Sequence, residues 1–348
     1  MTSPVLTHAE SDPRNAVEQA TDDLRALVNL PGSLAILLDS SRDPNSGVTF
    51  LLIPPGRDQP ELAVKLATTP AAADVIDGEA KVLIALEQLS LRRVEATLPR
   101  LAGKFHADGL LAIATSIVPG TPMRTRYHGF RHLRRPEAVR EDFAAASAWL
   151  ADLQLDSASE IRSISLLDGV PALMRARWPN DDQVTAVAEK LAPVAARLAG
   201  EGTQRTVVHG DFWAGNILLT RQAVTGVVDW SGGTLSGEPL ADVARFALSY
   251  ALYLDRHTRP GRQVAGHPGL RADGWGTGIR YAIAGEHWFG QVVTEFVTGA
   301  LRRLGVPAEL WRDVLLAGVA EAAVTADHPG FAACHRDLLV QLMSEGAR

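Results

Sequence analysis

The sequence predicts an α+β chain in two parts, a strand-rich front and a helix-rich back that carries one small β insertion. Three observations lead there. Short apolar runs separated by turn signals fill residues 33–67. From Pro136 onward, apolar residues recur at helical spacing over long segments. Within that back part, the stretch 204–230 breaks the pattern with β-branched strand pieces joined by loops. Strands gathered at one end and helices at the other mark an α+β, two-lobed arrangement, with a joint near residues 116–121.

Composition narrows the class. The chain has 348 residues, 46% hydrophobic and 21% charged, ordinary for a globular protein with one large domain or two coupled lobes. No apolar run approaches the roughly 20 residues of a bilayer span. The opening residues lack a charged segment followed by an apolar one, so no secretory leader is expected and the reading is cytoplasmic. A lone cysteine, Cys334, excludes an internal disulfide framework and a cysteine zinc cage. A net charge of -6 argues against a nucleic-acid partner. Only four of the 34 basic residues are lysines: Lys65, Lys81, Lys104 and Lys190.

Residues 1–15 are polar and expected to be loose. A helical pattern runs from Asn15 to about Val28. SLAILLD (33–39), GVTFLLI (47–53) and ELAVKLA (61–67) then read as strands of an antiparallel meander, the first two separated by SSRDPNS. An amphipathic helix follows over 75–89, beginning near Ala71, and LLAIATSIV (110–118) is a further strand ended by Pro119 and Gly120. Helices are expected at 137–155, 181–200, 239–254, 278–304, 307–325 and 331–345. The resulting division is a front lobe, 1–117, and a back lobe, 118–348.

The most informative pattern lies in the β insertion. VVHGDFWAGNILL (207–219) places His209, Asp211 and Asn216 between two apolar runs, and VVDW (227–230) follows. A loop carboxylate can orient or deprotonate a hydroxyl. An asparagine oxygen and a second carboxylate can hold Mg²⁺, a hard ion that keeps waters and bridges phosphates. The ILL and GVVDW runs would pair as a hairpin and bring Asn216 and Asp229 together. Those are the parts phosphoryl transfer requires.

This constellation resembles the aminoglycoside phosphotransferase/choline-kinase-like family of small-molecule kinases, which have a two-lobed protein-kinase-like fold with a small antiparallel-sheet N-lobe and a mainly helical C-lobe. HGDFWAGNILL is similar to that family's catalytic loop, with His-Gly-Asp where protein kinases carry His-Arg-Asp. VVDW resembles its metal-binding Asp segment, and GEPLADVARFAL its Gly-x-Pro-x-x-Asp-Leu-Ala helix start, with Val243 in place of Leu. The resemblance implies Asp211 as catalytic base or hydroxyl-orienting residue, and Asn216 and Asp229 as Mg²⁺ ligands. His209 reads as a scaffold residue that hydrogen-bonds backbone and positions Asp211. Asp242 either caps its own helix or braces the catalytic loop.

In the front lobe, Lys65 in AVKL resembles the phosphate-binding Val-Ala-Ile-Lys lysine. Glu79 in DGEAKVLIAL resembles the family's helix glutamate that pairs with it; its ordinary alternative is an exposed first-turn glutamate. No Gly-x-Gly-x-x-Gly joins the first two strands. Ser40, Ser41 or Ser46, with nearby backbone amides, are the candidates for covering the phosphates. TSIVPGTPM (115–123) resembles the family's hinge, with backbone around Ser116, Ile117 and Val118 toward adenine. The donor that the resemblance implies is ATP or GTP.

The acceptor is expected against the C-terminal helices. From Ala265 to Arg348 there are 9 acidic and 7 basic residues, a balance of -2 that does not suggest a highly charged cation. Trp275, Trp288, Trp311, Tyr281, His287 and His335 supply rings for a sugar or nucleoside, with core packing as their ordinary role. RTRYHGFRHLRR (124–135) reads first as solvated surface, and second as a contact for an anionic acceptor or a partner. Residues 257–278, rich in Gly, Pro and Arg, form a candidate acceptor lid. The expected activity moves the γ-phosphoryl group to a hydroxyl of a sugar, aminocyclitol, antibiotic or nucleoside, with antibiotic resistance as one biology it would serve. The rival is a regulatory pseudokinase that binds nucleotide without transfer. No Ala-Pro-Glu segment follows VVDW, which speaks against a protein kinase.

Overall fold

The structure is a computed structural model that describes residues 30, 32–40, 47–107 and 109–345. The proposed helix over 15–28 lies outside the described residues, as do Ser41 and Ser46. The chain divides into two compact units. One runs to Lys81 and includes Arg100–Ile117; the other comprises Val82–Pro99 and the chain from Val118 onward.

The first unit is built on strands β1 (Leu34–Ser40), β2 (Gly47–Ile53) and β3 (Leu62–Ala67), most of helix α1 (Pro70–Glu87), and strands β4 (Leu101–Ala107) and β5 (Leu110–Ser116). The strands form one antiparallel sheet in the order β1-β2-β3-β5-β4. Alternation along each strand gives the sheet two distinct faces. Phe50, Leu52, Val64, Leu66, Ala112 and Ala114 are buried together on one. Leu111 and Ile113 turn to the other, where they pack with Ala72, Ile76 and Ala80 of α1. The Thr69 hydroxyl starts α1 by accepting the Ala72 N–H at 3.1 Å. Strand β4 was not expected: its LAGKFHA run mixes Gly103 and Lys104 into the apolar alternation, and its register slips between Leu101 and Gly103.

The second unit is mainly helical. It begins with β6 (Thr121–Pro122), α2 (Met123–Tyr127), α3 (Pro136–Ser157), β7 (Ile161–Ser163), α4 (Val170–Arg177), α5 (Asp182–Ala199), β8 (Gly202–Gln204) and β9 (Thr206–Val208). It continues with β10 (Ile217–Thr220), β11 (Ala223–Val227), β12 (Thr234–Gly237), α6 (Leu240–Leu252), α7 (Thr277–Ala284), α8 (His287–Arg303), α9 (Trp311–Thr325) and α10 (Pro329–Glu345). The short strands pair as β11-β10-β6, β12-β9 and β7-β8. At its centre Phe143 of α3 meets Phe246 of α6 at 5.1 Å and Phe296 of α8 at 5.2 Å, edge to face. No helix among the described residues is long and apolar enough to cross a membrane.

Four expectations can be set beside the structure. The helix expected over 278–304 is two helices, because Gly285 turns left-handed (φ 73°) and closes α7. Helix α4 was not foreseen; its Arg177 donates to the Val324 and Ala326 carbonyls, at 2.8 and 2.9 Å, at the C-terminal end of α9. Residues 82–99, assigned to the front lobe, group with the second unit. There the Trp149 indole N–H reaches Thr97 at 2.9 Å and Asp156 accepts the Arg93 backbone N–H at 2.6 Å. The 257–278 segment is an ordered loop: Val264 and Leu270 are buried, and Gln263 bridges Arg271.

One buried ion pair ties the junction between β8 and β9 to the segment entering α6. Arg205 donates to Glu238 at 2.5 Å, both side chains under 10% exposed, and Thr203 donates to the other carboxylate oxygen at 3.0 Å. Removing one partner strands a buried charge. Arg205→Ala is therefore expected to cost about 3–5 kcal/mol in urea unfolding; an effect below about 1 kcal/mol would show that the pair is dispensable.

Candidate active site

In the first unit, Lys65 sits on β3 between Val64 and Leu66, so it points to the opposite face. Its cross-strand neighbour is Ile113, which packs against α1. That register directs Lys65 onto the face where α1 lies, and Glu79 waits there. Lys65 Nζ meets Glu79 Oε2 at 2.6 Å. Glu79 is 2% exposed and lies within α1, between the buried Ile76 and Ala80. The alternative of an exposed first-turn glutamate is thus corrected: α1 starts at Pro70, not at Glu79. The other lysines are occupied elsewhere. Lys81 and Lys104 both bind Asp77, whose carboxyl they hold down to about 2 by hydrogen bonding, and Lys190 donates to the Met343 carbonyl.

The remaining nucleotide candidates separate. Ser116 Oγ accepts the Arg100 N–H at 2.9 Å, which ties that hydroxyl into its own sheet. Ile117 and Val118 flank the boundary between the two units. Ser40 pairs through its backbone with Val48 at the end of β1.

In the second unit, β10 and β11 form the expected hairpin, with Ile217 opposite Val227. The Val228 N–H continues the ladder by donating to the Asn216 carbonyl at 3.0 Å. Strand β11 stops at Val227, and Asp229 turns left-handed (φ 67°), a conformation Asp tolerates better than most residues. The chain then enters a short 3₁₀ turn whose Trp230 is fully buried.

The His-Gly-Asp loop is pinned from below. Asp242, in the first turn of α6 and 2% exposed, does not cap its own helix. Its carboxylate accepts the His209 N–H at 2.7 Å and the Gly210 N–H at 2.9 Å. Burial raises its pKa, opposed by His209 and by those two N–H groups. Gly210 adopts φ 80°, and a Cβ there would stand 2.1 Å from the Gly232 carbonyl oxygen. His209 is completely buried. Its Nδ1 accepts the Asp211 N–H at 3.2 Å, which puts the ring proton on Nε2, where it is donated to the Val228 carbonyl at 2.9 Å. One imidazole thus joins the loop to the hairpin.

Asp211 is about one-third exposed and is held on both oxygens. Asn216 Nδ2 donates to Oδ2 at 3.1 Å and to the Asp211 carbonyl at 3.0 Å. Arg245 of α6 donates to Oδ1 through Nε and Nη2, at 2.9 and 2.6 Å. The sequence reading missed Arg245. Its signal was spacing: Arg245 lies three residues after Asp242, on the same helix face. With its nitrogen turned to Asp211, the Asn216 amide presents its oxygen elsewhere. That oxygen and the Asp229 carboxylate are hard donors at adjacent ends of one hairpin. Among the described residues no three His, Cys, Asp or Glu side chains gather as a metal cage. A two-donor set of this kind fits an ion that keeps waters and phosphate oxygens in its shell.

The family model described as the phosphotransferase enzyme family matches residues 43–277. The chain belongs to this family. It is a small-molecule kinase, and its two units carry the kinase-like pattern of a small antiparallel sheet and a helical part. Among solved structures, the apo form of a thermostable mutant of aminoglycoside phosphotransferase APH(4)-Ia is 14% identical, over 90% of this chain and 95% of that one, at TM-score 0.56. A ternary complex of a thermostable mutant of the same protein with AMP-PNP and hygromycin B is 13% identical, over 94% and 99%, at TM-score 0.57. Identity this low shows the shared fold. No curated protein matches the chain.

The rings expected near the acceptor mostly serve packing in this phosphotransferase. Tyr281 stacks on His287 and Phe289, Trp288 donates to the Gly266 carbonyl, and Trp311 lies under Arg312. His335 is buried, with burial lowering it to about 4, and Trp275 stays 38% exposed beside it.

Two glycines separate conformation from contact. Gly56 has φ 75°, and a Cβ added there would meet no atom within 4 Å, whereas Gly210 has both the unusual φ and the collision. Gly56→Ala is expected to cost only the backbone term, about 1–2 kcal/mol. Gly210→Ala is expected to cost clearly more in thermal unfolding and to abolish transfer; equal effects would show that the approach to Gly232 is unimportant.

Proposed function

We propose that this kinase moves the γ-phosphoryl group of ATP or GTP to a hydroxyl of a small molecule such as a sugar, an aminocyclitol, or an antibiotic or nucleoside. The observation that carries the reading is Asp211, partly open to solvent, fixed on both carboxylate oxygens, on a loop pinned by Asp242. The bound AMP-PNP and hygromycin B of the APH(4)-Ia complex support a nucleoside triphosphate donor and a small hydroxylated acceptor.

In this mechanism Asp211 orients the acceptor hydroxyl and takes its proton as the oxygen attacks the γ-phosphorus and the nucleoside diphosphate leaves. Arg245 and Asn216 hold the carboxylate in one rotamer. Lys65, steadied by Glu79, binds donor phosphate oxygens. Asn216 and Asp229 would hold Mg²⁺, which when bound neutralises charge on the phosphates. His209 and Asp242 act through the loop. The rival pseudokinase reading gains no support within either unit: the first forms the lysine–glutamate pair and the second the Asp211–Asn216 pair.

A panel of hydroxylated compounds incubated with Mg-ATP and with Mg-GTP, read by mass spectrometry, should reveal an acceptor that gains one phosphoryl group. Asp211→Asn is expected to lower kcat by roughly 10²–10⁴-fold, and Lys65→Ala and Asp229→Ala to suppress transfer strongly. Transfer untouched by Lys65→Ala and Asp229→Ala would overturn the proposal.

A further inference from the structure

Trp213 lies two residues beyond Asp211, on the rim of the same loop. Unlike its neighbour Phe212, which is buried and stacked on Trp149 at 5.2 Å, Trp213 is partly exposed. Its ring stands 6.3 Å from that of Tyr253. The Arg124 guanidinium lies 5.7 Å from the Trp213 centroid, and that of Arg256 lies 4.8 Å from Tyr253. The Arg124 backbone N–H is anchored on the Ala214 carbonyl at 2.8 Å, which fixes this arginine to the catalytic loop. His128 and His257 complete the group, Nδ1 to Nε2 at 3.0 Å. Two segments more than a hundred residues apart thus bring two arginines and two histidines onto the aromatic pair of the loop that carries Asp211.

Nearby carboxylates are already committed. Asp211 binds Arg245, Asp142 is buried against His132 and Tyr250, Glu141 binds Arg126, and Asp255 is buried against Thr277. Among the described residues neither Arg124 nor Arg256 has a carboxylate partner, and both are exposed. The His128 imidazole is held below its ordinary range by burial and by the neighbouring His257, Arg124 and Arg256, in agreement with the two arginine charges at this rim.

We infer that this rim binds the acceptor through an anionic group, a carboxylate or a phosphate, carried on a hydroxylated ring. The arginine forks match either group geometrically, and the Trp213 face suits a sugar or planar ring. A polycationic aminoglycoside would meet like charge here. The inference rests on the phosphotransfer reading only in naming the ligand an acceptor.

Equilibrium dialysis of the full chain without nucleotide tests it, using three probes of one shape: 4-nitrophenyl β-D-glucuronide, the matching glucoside, and the matching 2-amino-2-deoxyglucoside. The glucuronide should bind at least about tenfold tighter than the glucoside, the amino sugar weakest, and added salt should shrink the difference. The preference should vanish in Arg124→Ala/Arg256→Ala and persist in part in Arg124→Lys/Arg256→Lys. Equal binding of all three, tighter binding of the amino sugar, no binding of any, or a preference unchanged in the alanine double variant overturns the inference. Because no nucleotide is present, the charge preference is read apart from transfer, and failure of the acceptor panel with Mg-ATP and Mg-GTP would count against the transfer reading while leaving this one standing.

Discussion

The site depends on one buried carboxylate. Asp242 accepts two consecutive backbone N–H groups, those of His209 and Gly210, and so sets the turn on which Asp211 stands. Hydrogen bonds to a charged acceptor contribute about 1.5–3 kcal/mol each, enough to hold a loop in a conformation it would not choose. That conformation has φ 80° at Gly210 and a backbone approach to Gly232 that no Cβ permits. Once the turn is set, the His209 ring falls between loop and hairpin and passes a hydrogen bond to Val228, next to Asp229.

Helix α6 serves the site twice. Asp242 pins the loop from its first turn, and Arg245, one turn on, supplies the counter-charge to Asp211. The same helix is anchored in the core through Phe246 and Tyr250, both buried against Phe143. The carboxylate is therefore positioned from a rigid element rather than from the loop alone, which is what an orienting group needs. Just upstream, the Arg205–Glu238 pair fixes the segment that leads into that helix.

Much of this was legible in the sequence because it is local. The hairpin follows from two β-branched runs with a short turn, and the strand carrying Lys65 follows from apolar alternation. The link from Lys65 to Glu79 is longer, and it was the resemblance of both segments to the kinase family that implied it. What escaped depends on tertiary placement. Arg245 looks like any helix arginine until the loop folds against it. The burial of Glu79 between Ile76 and Ala80 could not be told from sequence apart from an exposed first-turn position, because it depends on how α1 packs on the sheet. The break at Gly285 was hidden in a run of helical periodicity, where a single glycine is common. The convergence of 124–128 with 253–257 has no signature in either segment, since cation–aromatic contacts carry no sequence period.

The central claim is that Asp242 holds the His-Gly-Asp loop, and amide hydrogen exchange across residues 207–214 tests it most directly. The account predicts that the His209 and Gly210 amides are protected in the unsubstituted chain and exchange far faster in Asp242→Ala, while amides of α3 and α8 keep their protection. Unchanged protection at His209 and Gly210 in that variant would contradict it.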